Sequence, residues 1–419
     1  MNPRTIIAQA ASSRRIRGGS ARGYAWRALL LCGLLASGGA AQARDLLEGE
    51  YGDIDLGRTL VEPATIPTLS ELRELVRKPQ ITTVLLLKLY GDANNHNLPV
   101  WSDDGRRLAF QRSDVGARSS KLLLFNALSQ ARPDLLSTDP DAYDYMFRWG
   151  VNSSSGFVFA RIDRARAATQ IYFSAQGEPP VIKTPGAGRH IAPCVYQRTD
   201  GIWRLAYERD GELVEEAWNS SGPVEANVSL GRGSSPRWAR DGFRLALLRE
   251  RPGPGQIAGA EIVVRNLKTD AEIVLSTEPA DRVRSPSWSP DERYVAYYSR
   301  PAGDQQSWRI GVASLTEGEP GRMLGQQVVA NLDFESQGPS WEPSGRRIWY
   351  FSHAQKEHAY YPLVAADVRT GETTLVDYPT RCTTPGDLAV NPAAETPQMA
   401  FVAHDGLTQD LFIVFLNHY

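Results

Sequence analysis

The chain has 419 residues, of which 42% are hydrophobic and 22% charged, with 36 Gly and 27 Pro. This composition excludes a disordered or collagen-like protein and leaves ample length for the core of a loop-rich globular fold. The formal net charge is −2 and no basic stripe is present, which disfavours nucleic acid and anionic lipid surfaces as partners.

Residues 1–43 have the pattern of a secretory signal peptide. Six Arg and no acidic residue occupy the first 27 positions, the apolar stretch ALLLCGLLASGGA follows, and Ala41-Gln42-Ala43 offers small residues for cleavage before Arg44. The apolar stretch is too short for a stable membrane span. We therefore expect a periplasmic or secreted mature chain without a membrane span.

The export route stays open. Ser13-Arg14-Arg15 resembles a twin-arginine signal, although Gly18-Gly19 stands where an apolar residue is expected, and the general route is the alternative. Cys32 could be a lipoprotein acylation site, but the bulky Leu31 precedes it. Removing the signal leaves 40 basic against 48 acidic side chains, a net charge of −8. Cys194 and Cys382 fall in well separated repeats, so two independent buried thiols are expected rather than a disulfide.

Residues 44–80 form an extension ahead of the repeats, with one predicted helix over 67–78. Thr68 and Glu71 have the spacing of a capping box. One face of the helix would be apolar, and it carries Leu69, Leu72, Leu75 and Val76.

The rest of the chain is an array of repeats. PVWSDDGRRLAF (99–110), SPRWARDGFRLAL (235–247), SPSWSPDERYVAY (285–297) and GPSWEPSGRRIWY (338–350) share one pattern, and three weaker copies fill the gaps. The Trp position of the pattern falls at Trp101, Trp149, Val195, Trp238, Trp288, Trp341 and Val390. The mean step of about 48 residues is close to the period of four-stranded propeller blades. The sequence therefore predicts an all-β, seven-bladed propeller of antiparallel blades over residues 81–419.

Each repeat reads as four short strands, with a tight turn after the first. Asp104-Gly105, Asp241-Gly242 and Ser344-Gly345 supply residues that tolerate positive φ at this turn. The repeated Trp suits a large ring packed between neighbouring blades, with ligand contact as the alternative.

The last repeat is one strand short, and a spare strand lies upstream. The sequence after Asp387 supplies three strands and ends with LFIVFLNHY (411–419), whereas ITTVLLLKLYGD (81–92) precedes the first repeat. We expect residues 81–90 to be the outer strand of the last blade, which closes the ring.

The repeats carry a resemblance to the TolB-type propeller family. Pro286 to Glu292, followed by YVAYYS, resembles the signature repeat of that family, and VWSDDGRRLAFQRS and SWEPSGRRIWYFS match it over the motif. The resemblance covers about residues 81–419 and implies an exported propeller that docks other envelope proteins. The chain departs from TolB because only about 40 mature residues, and no sizeable α/β domain, precede a sevenfold rather than sixfold repeat.

Three candidate site residues occupy equivalent positions in the first three repeats. His96, Asp144 and His190 each lie three residues before the Pro position, in the loop expected to enter the innermost strand at one mouth of the channel. These side chains suit a polar ligand or a divalent metal. The alternative is that they cap the turn.

Other chemistry has less support. The loop His353-Ala-Gln-Lys-Glu-His358 is loosely similar to the His/Gln manganese site of oligogalacturonate lyases with this repeat type, and a solvated loop is the alternative. No Gly-x-Ser-x-Gly turn, phosphate loop or Cys-x-x-Cys pair occurs.

The function expected from the sequence is a non-enzymatic, cofactor-free scaffold in the cell envelope. It would bind an envelope protein or a small ligand at the channel mouth through His96, Asp144 and His190. The alternative is a metal-assisted carbohydrate lyase or hydrolase that uses the same three residues.

Overall fold

The computed structural model describes residues 81–90, 94–113, 119–126, 133–136, 139, 141–153, 155–164, 167–175, 178–251, 259–275, 282–300, 308–316, 321–329, 337–352, 362–376, 385–394, 398–404 and 409–418. Four sequence-based expectations lie outside these residues: the signal peptide, the 44–80 extension with its helix, the loop 353–358, and Cys382.

The described chain is all-β. Within it, no helix is long and apolar enough to cross a membrane. The strands of the first half are β1 (Ile81–Tyr90), β2 (Asn95–Trp101), β3 (Arg107–Ser113), β4 (Ser120–Asn126), β5 (Asp134–Leu135), β6 (Tyr143–Trp149), β7 (Phe157–Asp163), β8 (Ala168–Ser174), β9 (Val181–Ile182), β10 (His190–Gln197), β11 (Trp203–Arg209), β12 (Glu212–Asn219), β13 (Gly222–Arg232) and β14 (Ser234–Trp238). Those of the second half are β15 (Arg244–Arg251), β16 (Gly259–Asn266), β17 (Glu272–Val274), β18 (Arg282–Trp288), β19 (Tyr294–Arg300), β20 (Trp308–Ser314), β21 (Arg322–Val329), β22 (Ser340–Trp341), β23 (Arg347–Ser352), β24 (Leu363–Asp367), β25 (Thr373–Val376), β26 (Pro385–Val390), β27 (Gln398–His404) and β28 (Gln409–His418).

Consecutive strands pair antiparallel to form four-stranded groups. Sheets β10–β13 and β14–β17 each hold four strands in chain order. Two larger sheets, β2–β9 and β18–β25, each join two such groups. In the first, the link is one parallel pairing, between Ser120 and Tyr143. This succession of antiparallel groups is the architecture of a β-propeller.

The closure strand, β1, lies in the sheet of the last repeat. It pairs antiparallel with β28, in the strand order β1-β28-β27-β26, with Ile81 opposite His418 and Leu86 opposite Val414. This is the pairing that the sequence predicts for residues 81–90. The first and last parts of the chain therefore share one sheet, so β28 has no open edge.

A chain of indole hydrogen bonds joins the first strands of neighbouring repeats. Trp149 donates from Nε1 to the carbonyl oxygen of Val100 at 3.0 Å, and Trp288 donates to that of Arg237 at 2.9 Å. Trp238 and Trp341 make the same bond to the preceding repeats. The bond from Trp101 to Ala389, at 3.2 Å, connects the first repeat to the last. Each first strand is therefore an inner strand of a closed ring.

Backbone and hydroxyl groups replace the indole where the repeat has Val in place of Trp. In the third repeat, the amide of Val151 donates to the carbonyl oxygen of Val195 at 2.9 Å. In the last, the hydroxyl of Ser340 donates to the carbonyl oxygen of Leu388 at 2.6 Å. The ring of contacts thus continues through the weaker copies of the motif.

The hydrophobic core consists of separate clusters between adjacent groups of strands. Trp238, which is 2% exposed, packs with Tyr196 and Leu245 between the third and fourth repeats. Phe351 and Phe401 pack between the last two. These positions confirm the packing role predicted for the repeated Trp.

Two backbone features recur in the inner strands. The turn glycines have positive φ as predicted, with values of 65° at Gly105 and 70° at Gly242. The second feature was not predicted: a β-bulge precedes the Pro position, and the residue there has left-handed φ. The residues at this bulge are Leu98 (52°), Met146 (50°), Ala192 (54°), Ser235 (52°) and Ser285 (50°). Gly338, with φ of 90°, has the equivalent position ahead of β22.

Replacing Gly338 by Ala is expected to lower the free energy of unfolding by about 2 to 4 kcal/mol, because strain adds to overpacking. Its φ is 90°, and an added Cβ would lie 2.6 Å from the carbonyl oxygen of Ser285. Gly201→Ala is the control, since Gly201 has φ of 83° but nothing within 4 Å of an added Cβ. Urea denaturation measures both, and equal losses would show that the close contact with Ser285 adds nothing to the cost of the positive φ.

Candidate functional site

The three sequence-predicted site residues lie inside strands, not in the loops that enter them. His96, Asp144 and His190 are among the first residues of β2, β6 and β10, and each pairs across its sheet with an arginine. All three are buried, with exposed fractions of 0%, 0% and 6%. The loop placement was wrong because the inner strands begin earlier than the motif suggests, ahead of the bulge.

His96 lies at the junction between the first and last repeats. Its Nδ1 is 2.7 Å from the carbonyl oxygen of Gln409 at the start of β28. The ring also contacts Phe110 edge-on, with centroids 5.8 Å apart. These contacts hold β2 against the sheet that contains the closure strand.

Asp144 forms a two-point ion pair with Arg161 on the neighbouring strand β7. The carboxylate accepts from Nε at 2.6 Å and from Nη2 at 2.9 Å, and the guanidinium lies over the ring of Tyr172. Burial raises the pKa of the Asp144 carboxyl, and the hydrogen bond from Arg161 offsets part of that rise. The backbone oxygen of Asp144 accepts from Gln111 and Ser120 of the first repeat. Asp144 thus joins two repeats.

His190 is the member of the three that lines a cavity. Its Nδ1 is 3.0 Å from the carbonyl oxygen of Thr169 on β8, so Nδ1 carries the hydrogen and donates. In the tautomer with hydrogen on Nδ1 alone, Nε2 has a lone pair that can accept. The cavity beside it has a volume of about 710 Å³.

We name this space the seam cavity, because it lies between the outer strands of the second and third repeats. One wall is the segment Ile182 to Pro185, together with Ala187, which follows β9. The opposite wall is the face of β11 and β12 that carries Tyr207, Glu216 and Trp218. The hairpin between β12 and β13 forms the rim.

Four charged side chains line the seam cavity: the cations Lys183 and Arg209, and the carboxylates of Glu216 and of the exposed rim residue Glu225. The Lys183 ammonium lies 4.1 Å from the ring centroid of Trp218 and 5.5 Å from that of Phe173. Burial lowers the pKa of Lys183, and the charge of Glu216 opposes the change. Glu216 accepts a hydrogen bond of 2.8 Å from the hydroxyl of Tyr207. Burial and this hydrogen bond raise the pKa of Tyr207, so the phenol stays a donor.

Lys183 and Glu216 do not neutralise each other by direct contact. Within the described part of the chain, no ion pair within 4.0 Å joins them. The other cation of the cavity, Arg209, is engaged, because its Nη1 donates to Asn227 at 2.8 Å and its Nη2 lies 4.0 Å from Glu212. The cavity therefore offers an ammonium, a carboxylate and an imidazole acceptor beside aromatic rings.

The described residues contain no group of three or more His, Cys, Asp or Glu side chains that could hold a metal ion. His96, Asp144 and His190 accordingly do not converge on one point, and each bonds at a different junction between repeats. Ligand contact by these residues stays a prediction.

Sequence reasoning missed Lys183, Glu216 and Trp218. A signal for Glu216 is present in ELVEEAWN (212–219), where alternate residues of a strand share a face. Glu216 thus shares its face with Val214 and Trp218, which pack against the second repeat. A carboxylate on an interface face of this kind marks a polar site. Lys183 carries no comparable signal, because it lies in an irregular segment.

Side-chain hydrogen bonds also join repeats that are not adjacent in the chain. Gln337, ahead of the inner strand β22, donates to the carbonyl oxygen of Phe147 on β6 at 2.9 Å and accepts from Arg148. Arg240 in the fourth repeat donates to Asp103 in the first at 2.8 Å. These bonds tie non-adjacent repeats together, which stiffens the fold.

Comparison with known proteins identifies the fold and no family. No protein-family model and no curated protein sequence matches the chain. A puromycin-hydrolysing peptidase from Mycobacterium tuberculosis is similar in structure, with a TM-score of 0.54 and 14% identity over 78% of this chain. This chain spans only 52% of that peptidase.

Two further structures are similar. Oligogalacturonate lyase from Vibrio parahaemolyticus has a TM-score of 0.50 and 12% identity, over 79% of this chain and 93% of its own. TolB from Acinetobacter baumannii has a TM-score of 0.39 and 15% identity, over 56% of this chain and 57% of its own. At these identities, the likeness to the peptidase and to the lyase concerns the fold alone.

Proposed function

We propose that the chain is an exported, seven-bladed TolB-like propeller that acts as a non-enzymatic binding scaffold in the cell envelope. Its ligand would occupy the seam cavity, and a protein partner could dock on the ring beside it. The signal-like segment 1–43 supports export, and the repeated motif supports the relation to TolB.

The contacts between repeats support a count of seven blades. Seven copies of the motif each supply an inner strand. Hydrogen bonds at Trp101, Trp149, Val195, Trp238, Trp288, Trp341 and Ser340 join each copy to its neighbour. The pairing of β1 with β28 supports a closed ring.

The observation that carries the proposed function is the seam cavity itself. Its volume of about 710 Å³ is within the range of small-molecule sites. Lys183 and Glu216 face this space from opposite walls without forming an ion pair of their own. Apolar and aromatic walls with a few polar groups facing the space are typical of small-molecule sites. A rigid ring would hold both walls in place, which lowers the entropy cost of binding.

Blocking the seam cavity is expected to abolish ligand retention. Ala226 lines the cavity and is exposed, so Ala226→Trp should fill the space without disturbing the core. The purified protein would be incubated with the low-mass fraction of an envelope extract, desalted and examined by native mass spectrometry. We expect a bound small molecule in the wild type and at least a tenfold lower occupancy in Ala226→Trp. Equal occupancy in the two proteins would contradict a ligand site at the cavity.

The enzyme alternative is a metal-assisted carbohydrate lyase or hydrolase acting through His96, Asp144 and His190. The observation in its favour is His190, because the Nε2 lone pair is the form that binds a metal. Metal in the purified protein, together with turnover of acidic oligosaccharides that is lost in His190→Ala, would favour the enzyme over the scaffold.

A further inference from the structure

The charges on the walls of the seam cavity restrict the kind of ligand that can bind there. Lys183 contributes a positive charge from the segment after β9, and Glu216 contributes a negative charge from β12. A ligand with one charge would satisfy one wall and bury its like charge against the other. A neutral ligand would leave both charges without a charged partner.

Each of the two groups keeps bonding capacity for a ligand. The Lys183 ammonium, which has three hydrogens, contacts the ring faces of Trp218 and Phe173. One carboxylate oxygen of Glu216 accepts from Tyr207, and a carboxylate can accept several hydrogen bonds. Charge-assisted hydrogen bonds to these groups are about twice as strong as neutral ones.

We propose that the seam cavity binds a small zwitterion of amino-acid or dipeptide size, with its carboxylate at Lys183 and its ammonium at Glu216. The ligand's ammonium can also donate to Nε2 of His190, which the bond to Thr169 leaves as an acceptor. An apolar ligand side chain has Ile182, Pro185 and Ala187 to contact on the same wall. This inference rests on the proposed function, because it needs the cavity to be a binding site.

The test uses three zwitterions, leucine, phenylalanine and glycyl-leucine, and two singly charged derivatives of leucine, N-acetyl-leucine as the anion and leucinamide as the cation. Isothermal titration calorimetry with the full mature protein measures each affinity. We expect at least one zwitterion to bind at least tenfold more tightly than N-acetyl-leucine and leucinamide. Binding of a singly charged probe within threefold of the best zwitterion would overturn the proposal, as would the absence of zwitterion binding at millimolar concentration.

Two variants assign the charges to their walls. Lys183→Met keeps a side chain against Trp218 and should lower zwitterion affinity at least tenfold, while leucinamide binding is unchanged or improved. Glu216→Gln keeps an acceptor for Tyr207 and should show the reverse preference, for N-acetyl-leucine. Lys268→Met is the matched control, because Lys268 lies 4.0 Å over Phe243, outside the cavity. An equal loss in Lys268→Met would overturn the assignment.

The outcome separates this inference from the proposed function. If no zwitterion binds while Ala226→Trp still abolishes retention of a molecule from the extract, the cavity is a ligand site for another class of molecule. If the extract yields no cavity-dependent ligand and no zwitterion binds, both fail.

Discussion

Asp144→Asn is expected to lower the free energy of unfolding by about 3 to 5 kcal/mol, because it leaves a buried guanidinium without its counter-charge. The side chains of Asp144 and Arg161 are 0% and 12% exposed, and two hydrogen bonds join them. Asn keeps the shape of the carboxylate but supplies one acceptor instead of two. Urea denaturation monitored by tryptophan fluorescence measures the loss.

The matched control is Asp103→Asn. The pair of Asp103 with Arg240 also joins two repeats, but its side chains are 29% and 46% exposed, so solvent screens it and the loss should stay below about 1 kcal/mol. A double variant, Asp144→Asn with Arg161→Met, should recover part of the stability, because it also removes the guanidinium that Asp144→Asn leaves unpaired. If Asp144→Asn costs no more than Asp103→Asn, Asp144 is not a structural residue and its assignment to a ligand gains support.

The Asp144 experiment also bears on the metal hypothesis. A carboxylate committed to Arg161 has little capacity left for a cation at the same two oxygens. We therefore expect EDTA to leave the unfolding midpoint of the wild type unchanged. A drop with EDTA that is absent in His190→Ala would restore the metal site and the enzyme alternative.

The fold could be predicted in large part because the repeats share one pattern, so that each copy supports the interpretation of the others. A single copy such as that at Trp288 is ambiguous, but copies at a spacing of about 48 residues indicate the architecture and the turn glycines. The same alignment showed one extra strand at 81–90 and one missing strand after Asp387, and so predicted that 81–90 completes the last repeat. The recurrent bulge was missed, because left-handed φ at Leu98 or Met146 contradicts the local preference of those residues.

The candidate site was harder to predict, because aligning the repeats identifies residues at equivalent positions but not the shape of the surface around each residue. His96, Asp144 and His190 are equivalent in sequence, yet each bonds at a different junction, and His190 lines the seam cavity. Whether a cavity forms there depends on the path of the segment after β9 and on the long strand β13, which are specific to these two repeats. Properties that differ from repeat to repeat leave no periodic trace in the sequence.

The second large effect concerns the closure strand. A chain that begins at residue 91 is expected to be less stable than one that begins at residue 81 by on the order of 4 kcal/mol or more. Eight residues of β1 pair with β28, and loss of β1 also exposes the edge of β28 to other molecules. We expect a lower urea midpoint and concentration-dependent aggregation of the shorter chain, measured by light scattering.

The control removes an outer strand that does not close the ring. Replacing Glu272 to Val274 by Ser-Gly-Ser eliminates the three pairings of β17 with β16, and these residues are exposed. If closure of the ring matters, the loss per pairing should be larger for β1 than for β17, because β1 precedes the first repeat but pairs in the sheet of the last one. Amide hydrogen exchange should then be faster in β2 as well as in β28, since β2 packs against the sheet of the last repeat. A synthetic peptide of residues 81–90 added to the shorter chain should restore the midpoint. Failure of the peptide, together with equal losses per pairing, would show that β1 is an ordinary outer strand and that the ring is held by its inner strands alone.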